Sequence, residues 1–447
     1  MWTNPTLSDW ALLCTGRLLG DDAVISDIST DTRSLKEGDV YVALIGPFFD
    51  GHNYISTAVH KGARAIVVQH LIAELEIPQL VVADTKRALG FLASLLRDRF
   101  SGQVIALTGS AGKTSTRAML ENILALQDGL LSTEGNFNND IGVAKTWFRL
   151  CDRHQRVLLE FGANAPDEIE WLGRISRPHL SLLLNAGIAH TEGFGGLGGV
   201  RQAKGEIIDT TDIAGGCILN QDDPAFSTWL KRAGERRVIS FGKHPNADVC
   251  LLAFASTGQG SEFTLSLPEG DISVSWPMLG RHMALNAAAA AATAWSAGVS
   301  PLNIAEGLGA MKPEPGRMEP VASQHGGGLI HDAYNASPVS FQAAIDVLAE
   351  IGGDTLLIAG DMAELGAESD VFHRDIGLYA RGKVGRLWTV GEQAGLMAAA
   401  FGGSHFNSIT QLLALLSAKI NPETTILVKA SRSSGMEYVV DALRRKY

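Results

Sequence analysis

The feature that most restricts what this chain can fold into is a strand, a glycine loop and a helix in immediate succession. Val104-Ile105-Ala106-Leu107 is an aliphatic run of strand type, and Met119, Leu120, Ile123 and Leu124 recur at the spacing of one helix face. Between them stand Thr108, Gly109, Ser110, Ala111, Gly112, Lys113, Thr114 and Ser115. Glycines in such a loop let backbone N–H groups close round phosphate oxygens at a helix N-terminus. Lys113 would then lie on the β- and γ-phosphates, and Thr114 would offer its hydroxyl to Mg²⁺, an ion that takes few protein ligands and keeps several waters. The spacing is G-x-x-G-K-T, because Leu107 stands where the longer G-x-x-x-x-G-K-T loop has its first glycine. Taken alone, so short a match also fits an ordinary turn whose lysine faces solvent; the strand and helix flanks favour an ATP site.

A loop of that kind belongs in an α/β sheet. Further strands are expected at Arg156–Phe161, Leu180–Asn185 and Gly216–Asn220 with helices between, the pattern of a mostly parallel, doubly wound sheet. Residues 246–276 alternate in short runs with turns, which predicts an antiparallel edge or appendage. The first 85 residues read as a small α/β unit, with strands at Val40–Ile45 and Ala65–Val68 and a loop, Gly46-Pro47-Phe48-Phe49-Asp50-Gly51-His52, between them. The Pro/Gly-rich stretch Met311–Gly316 marks the best boundary, and a third α/β unit follows, with strands at Thr355–Ala359 and Thr425–Val428. A chain of 447 residues accommodates three units at roughly 100–200 residues each: 1–85, 86–313 and 314–447.

Composition narrows the function. A net charge of -11 and a pI near 5.6 give no whole-molecule field to attract a nucleic acid, so an anionic substrate must be held by local cations and backbone amides. Cys14, Cys151, Cys217 and Cys250 form no C-x-x-C pair and read as free thiols of a reducing compartment. The N-terminal residues lack a basic segment ahead of an apolar one, which argues against export. Met283–Trp295, alanine-dominated and containing Asn286, falls short of the ~20 residues a membrane span needs and predicts a buried helix.

With these motifs in hand the chain resembles the Mur ligases. Thr108–Ser115 is similar to the family's phosphate loop, Glu134–Asn139 to its G-N-x-N-N turn, and Leu159-Glu160-Phe161-Gly162 to a strand ending in a metal-binding glutamate. Asn185–His190 resembles the second metal-ligand strand end, and Arg201–Glu206 the helix with a modifiable lysine. Gly280–Ala287 resembles the G-x-H-N-x-x-N-A helix, with Met283 where asparagine is usual, and Glu314–Glu319 the P-G-R hinge. Ser29–Arg33 and Gly46–His52 resemble the UDP-sugar motifs of the first domain. His331–Pro338, Gly360–Gly366 and Lys429–Arg432 resemble segments of the D-alanyl-D-alanine-adding branch, with Ser337, Ala430 and Gly435 as departures; no D-N-P-R of the diaminopimelate-adding branch occurs.

The resemblance implies a cytoplasmic, monomeric enzyme that condenses a UDP-N-acetylmuramoyl-tripeptide with D-alanyl-D-alanine at the expense of ATP, without nucleic acid or membrane insertion. It implies Mg²⁺, in two sites, held by Thr114, Glu160, His190 and Lys204, the last as a carbamate formed on a lysine whose amine burial keeps neutral. Asn286, Arg317 and Asp332 would contact nucleotide. Ser29, Thr30, Arg33, Asp50, Gly51 and His52 would take the UDP end of the substrate, and Asn138 and Asn139 would also contact the substrate. Tyr334, Asn335, Asp361, Glu364 and Lys429 would serve the amino donor. Taken singly, a strand-end glutamate is usually solvated, a lone histidine is usually a satisfied polar residue, and a helix lysine usually faces solvent. Three alternatives stand beside this reading: a diaminopimelate- or lysine-adding relative, a folyl-polyglutamate synthetase, against which the first 85 residues argue, and a nucleotide-binding protein without catalysis.

Overall fold

The computed structural model describes residues 4–127, 129–187, 191–257 and 260–444. Among the described residues three main sheets follow one another along the chain, with a two-stranded hairpin beside the first. The first runs Arg17–Leu19, Gln79–Val81, Ala65–Val68, Val40–Val42, Ile28–Ser29 in space, parallel except where Arg17–Leu19 meets Gln79–Val81. The strand expected over Val40–Ile45 breaks after Val42. The Leu44 amide turns back to the Val42 carbonyl and the Leu44 carbonyl accepts the Gly51 N–H, so Ile45–Gly46 forms a small hairpin with Phe49–Asp50 instead.

The nine-stranded central sheet has the order Gly270–Trp276, Gly260–Leu267, Val249–Thr257, Arg237–Gly242, Gly216–Asn220, Leu180–Leu183, Gln103–Thr108, Arg156–Glu160, Leu130–Ser132. It is parallel from Leu130–Ser132 as far as Val249–Thr257 and antiparallel beyond, so residues 246–276 extend the sheet as its edge. The strand Gln103–Thr108 lies where the chain switches direction. Its next two strands are on one side and Leu180–Leu183 on the other, which leaves a crevice beyond its carboxyl end. The third sheet runs Glu319–Val321, Leu329–Asp332, Thr425–Lys429, Thr355–Ala359, Arg386–Val390, Ser404–Phe406, parallel but for its first pair.

Packing joins the first two sheets more closely than the second and third. The helix Thr85–Arg99 is capped by Asp84, whose carboxylate accepts the Lys86 and Arg87 N–H groups, and Trp10 donates its indole N–H to the Ala88 carbonyl at 2.6 Å. One apolar cluster therefore runs from Leu7, Trp10 and Val40 through Leu89 and Leu92 to Val104, Leu159 and Trp229. The other face of the central sheet is covered by Arg281–Ser296, the expected buried helix, whose Ala287 to Ala292 are wholly buried. Two further clusters cover the faces of the third sheet. No helix among the described residues is long and apolar enough to cross a membrane.

Candidate active site

The loop after Gln103–Thr108 ends at Gly112, whose φ of 82° is a conformation side chains rarely adopt. A Cβ there would also lie 2.7 Å from Asn286 Oδ1, so Asn286, from the start of the alanine-rich helix, seats directly on the loop. The helix Lys113–Ala125 begins at the next residue, and its first intrahelical bond is Thr116 N–H to Gly112 C=O. The amides of residues 112–115 are thus its orphan donors, pointed at the crevice. Two earlier amides, of Ser110 and Ala111, donate instead to Asn185 Oδ1 at 3.1 and 2.9 Å, and Lys113 Nζ donates to the Gly109 carbonyl at 2.7 Å. The expected strand Leu180–Asn185 stops at Leu183, and Asn185 just beyond it pins the loop, a role of which the sequence offers no local sign.

Glu160, at the end of its strand, is 1% exposed. Its Oε1 accepts from Asn138 Nδ2 at 2.9 Å and from Thr114 Oγ1 at 3.4 Å, while Oε2 accepts from Arg117 Nε at 3.1 Å. Thr114, Asn138 and Glu160, three residues singled out from different motifs, therefore converge. Their donor atoms facing the crevice are mainly oxygens, which suits a hard cation such as Mg²⁺. Among the described residues no three His, Cys, Asp or Glu side chains form a metal cage. Asn139 does not face Glu160: its side chain caps the helix Asp140–Phe148 through the Gly142 N–H. His190 lies outside the described residues.

Lys204 sits in the helix Leu197–Asp209, 2% exposed, with its ammonium 5.5 Å from the Phe194 ring centroid. Burial, reinforced by the charge of Lys113 and opposed by Glu168 and Glu206, pushes its pKa from 10.5 to about 7. Lys113 is also lowered, by burial, with Glu160 opposing and Arg317 adding to the shift. Arg317, a cation of the third unit, lines the same cleft as the loop lysine.

That unit lines the opposite wall of the cleft, a cavity of about 1220 Å³ that also includes Lys113, Glu160, Asn138 and Asn286. Arg317 pairs with Glu314 at 3.3 Å and stacks 4.3 Å over the Tyr334 ring, which also lies 5.4 Å from Arg432. Asp332 and Lys429, read from sequence as contacts for different ligands, form one buried ion pair at 2.7 Å; Lys429 also donates to the Asn335 carbonyl and Asp332 accepts the Met318 N–H. His282, which the sequence reading passed over, lines the cleft near this pair, and burial lowers its pKa to about 4, so it is neutral. Glu364 faces the cleft in the left-handed conformation, φ 62°. Asp361 does not line it: its carboxylate accepts the Ala394 N–H at 2.7 Å.

In the first unit, Ser29 and Thr30 line a second cavity of about 580 Å³ shared with Lys145, Arg149 and Arg153 of the central unit. Arg33 is exposed and paired with Asp31, which its hydrogen bonds hold at about 2. His52 has both ring nitrogens in use, Nδ1 on Asp50 at 2.6 Å and Nε2 accepting the Gln69 N–H at 3.0 Å. Gly51 has Leu44 backbone atoms 2.8 Å from where a Cβ would stand. Tyr41 donates to the Gly51 carbonyl, and burial, helped by the charges of Asp31, Tyr54 and Asp50, lifts its phenol to about 12.

A glycine loop and helix end with unpaired backbone donors, faced across a cleft by a separate α/β unit that adds Arg317 to the same lining, defines a protein built to bind a nucleotide. Residues 107–294 match the Mur ligase middle domain and residues 316–432 the glutamate ligase domain of the Mur ligases. The chain belongs to the Mur ligase family. It is 41% identical over 444 residues, 98% of each chain, to the UDP-N-acetylmuramoyl-tripeptide–D-alanyl-D-alanine ligase of Escherichia coli strain K12. A crystal structure of MurF from Acinetobacter baumannii matches with a TM-score of 0.92 at 33% identity over 98% of both chains. That of the MurF ligase from Thermotoga maritima in complex with ADP gives 0.85 at 27% identity, covering 93% of this chain and 96% of that one.

Proposed function

We infer that this chain is an ATP-dependent ligase joining D-alanyl-D-alanine to the terminal carboxylate of UDP-N-acetylmuramoyl-tripeptide, with UDP-linked pentapeptide, ADP and phosphate as products. Likeness over nearly the whole length to ligases of that name supports the substrates. The observation that carries the chemistry is a single cleft lined by Lys113 at the helix end and by Arg317 from the third unit.

A carboxylate and an amine do not condense unaided in water, so the acid must first become an acyl donor. A tripeptide carboxylate oxygen attacks the γ-phosphorus, and the bond from that phosphorus to the β–γ bridging oxygen breaks, giving ADP and an acyl phosphate. Lys113 and the amides of residues 112–115 stabilise the charge on the transferring group. The amine of D-alanyl-D-alanine then attacks the acyl carbon, phosphate leaves, and the amine gives up its proton. Arg317, Asn286 and Asp332 would orient the nucleotide. Magnesium, when bound, neutralises phosphate charge, and Thr114, Glu160, a carbamate on Lys204 and His190 would hold it in two sites.

Because an acyl phosphate hydrolyses, water must be kept out while the amine arrives, which the third unit achieves by closing on the cleft about the Gly316 stretch. Tyr334, Asn335, Glu364 and Lys429 would shape the amino-donor side, with Asp361 acting through the Ala394 amide. Asn138 and Asn139 would receive the peptide, and Ser29, Thr30, Arg33, Asp50, Gly51 and His52 the UDP end. We divide the chain at 85/86 and 313/314 and place it in the cytoplasm as a monomer. Phosphate release measured with a panel of amino donors tests the reading: D-alanyl-D-alanine should trigger it with the UDP-tripeptide. Turnover only with diaminopimelate or lysine, on a UDP-dipeptide, would overturn it.

A further inference from the structure

Arg117 carries no motif signal and does not line the cleft, yet its guanidinium makes four hydrogen bonds behind the cleft wall. It lies one turn after Thr114 on the helix Lys113–Ala125, 6% exposed. Its Nε donates to Glu160 Oε2 at 3.1 Å; one terminal nitrogen donates to Glu121 Oε1 at 2.6 Å and to the Thr133 carbonyl, and the other to the Gly135 carbonyl at 3.2 Å. Two consequences follow from that geometry. Oε2 of Glu160 is occupied and the carboxylate cannot rotate, so Oε1 stays beside Thr114 Oγ1 and Asn138 Nδ2. The same guanidinium grips the backbone at both ends of the turn into Asn136–Asn138, whose last residue touches Glu160 and lines the cleft. A planar fork with five donors can do both at once, whereas an ammonium cannot span them.

We propose that Arg117 is a positioning residue that locks the Glu160 carboxylate and the Thr133–Asn138 turn into one rigid unit, coupling Mg²⁺ binding to binding of the UDP-linked substrate. The inference rests on the ligase reading, in which Glu160 serves the metal and the turn serves the peptide.

The test uses the full-length enzyme with Arg117→Met and Arg117→Lys. Calorimetric titration of ADP at stepped Mg²⁺ gives the Mg²⁺ concentration for half-maximal affinity, and steady-state kinetics give KM for each substrate. Arg117→Met should raise the Mg²⁺ requirement about 10- to 100-fold, the scale for removing an outer-shell partner of a ligand. KM for the UDP-tripeptide should rise about tenfold with the loss of charge-assisted hydrogen bonds, and KM for D-alanyl-D-alanine should not move. Arg117→Lys, which keeps a cation for Glu160, should restore the Mg²⁺ requirement but not the UDP-tripeptide KM. Should Arg117→Met fail to fold, the lysine variant decides alone: a wild-type UDP-tripeptide KM overturns the proposal. So does a folded Arg117→Met with wild-type Mg²⁺ requirement, or with all KM values raised alike. If the wild-type enzyme itself shows no Mg²⁺-dependent nucleotide binding, the ligase reading is what fails.

Discussion

Replacing Lys429 with methionine isolates the energetics of the buried pair that the third unit builds at its cleft edge. The two side chains are 2% and 13% exposed and 2.7 Å apart, so the mutation strands a carboxylate that, among the described residues, retains only the Met318 N–H. Breaking such a pair from one side costs about 3–5 kcal/mol, because the remaining charge is buried without its counter-ion. For a unit of this size, spread as a few °C per kcal/mol, the expected fall in melting temperature is about 10–20 °C, read by scanning calorimetry as a shift of the third-unit transition. Asp332→Asn added to Lys429→Met removes the stranded charge and should recover most of the loss. If the single variant moves the transition by less than about 3 °C, or the double variant is no better than the single, the pair is not the buried device described. The folded double variant also separates roles: a rise in KM for D-alanyl-D-alanine keeps Lys429 as a donor contact, and an unchanged value removes it.

Lys113→Ala should cut amide formation by about 10²–10³-fold, the scale of deleting one charge-stabilising donor, and an unaffected rate in a coupled phosphate assay would end the ligase reading. Lys204→Ala should lose activity and regain part of it with short carboxylic acids; full activity without them would exclude the carbamate. With its pKa near 7, Lys204 in the folded protein is mainly neutral at pH 8 while an unfolded lysine stays protonated, so carbamate formation is favoured as pH rises through 7 and is lost below it. A ¹³C-bicarbonate NMR signal that grows over that range measures it directly.

What the sequence made legible was local. The strand, loop and helix around Lys113, the alanine-rich buried helix and the parallel order of the central strands all follow from short-range periodicity and turn chemistry, and each has its counterpart in the fold. Family resemblance singled out Asn138 and Glu160 for different ligands, but their direct contact, 22 residues apart, was not accessible from the sequence. Pairings such as Asp332 with Lys429, 97 residues apart, were not accessible, since neither residue's neighbours announce a partner across the sheet. Arg117 was missed for a related reason: a basic residue four before a glutamate on a helix reads as a solvated surface pair, and only burial reveals otherwise. The break after Val42 was invisible because Ala43-Leu44-Ile45 keeps strand-like composition while Gly51 folds back on it.

The apolar seam joining the first sheet to the central one bears on how the chain may be cut. Removing residues 1–85 would uncover Leu89, Leu92 and their neighbours along a face now closed by Leu7 and Trp10, and a contiguous greasy surface of that kind invites aggregation. A cut in the 312–315 stretch severs little of that seam and leaves the clusters on either side of it nearly closed. The natural halves for separate expression are therefore an N-terminal piece carrying two sheets and a C-terminal piece carrying one.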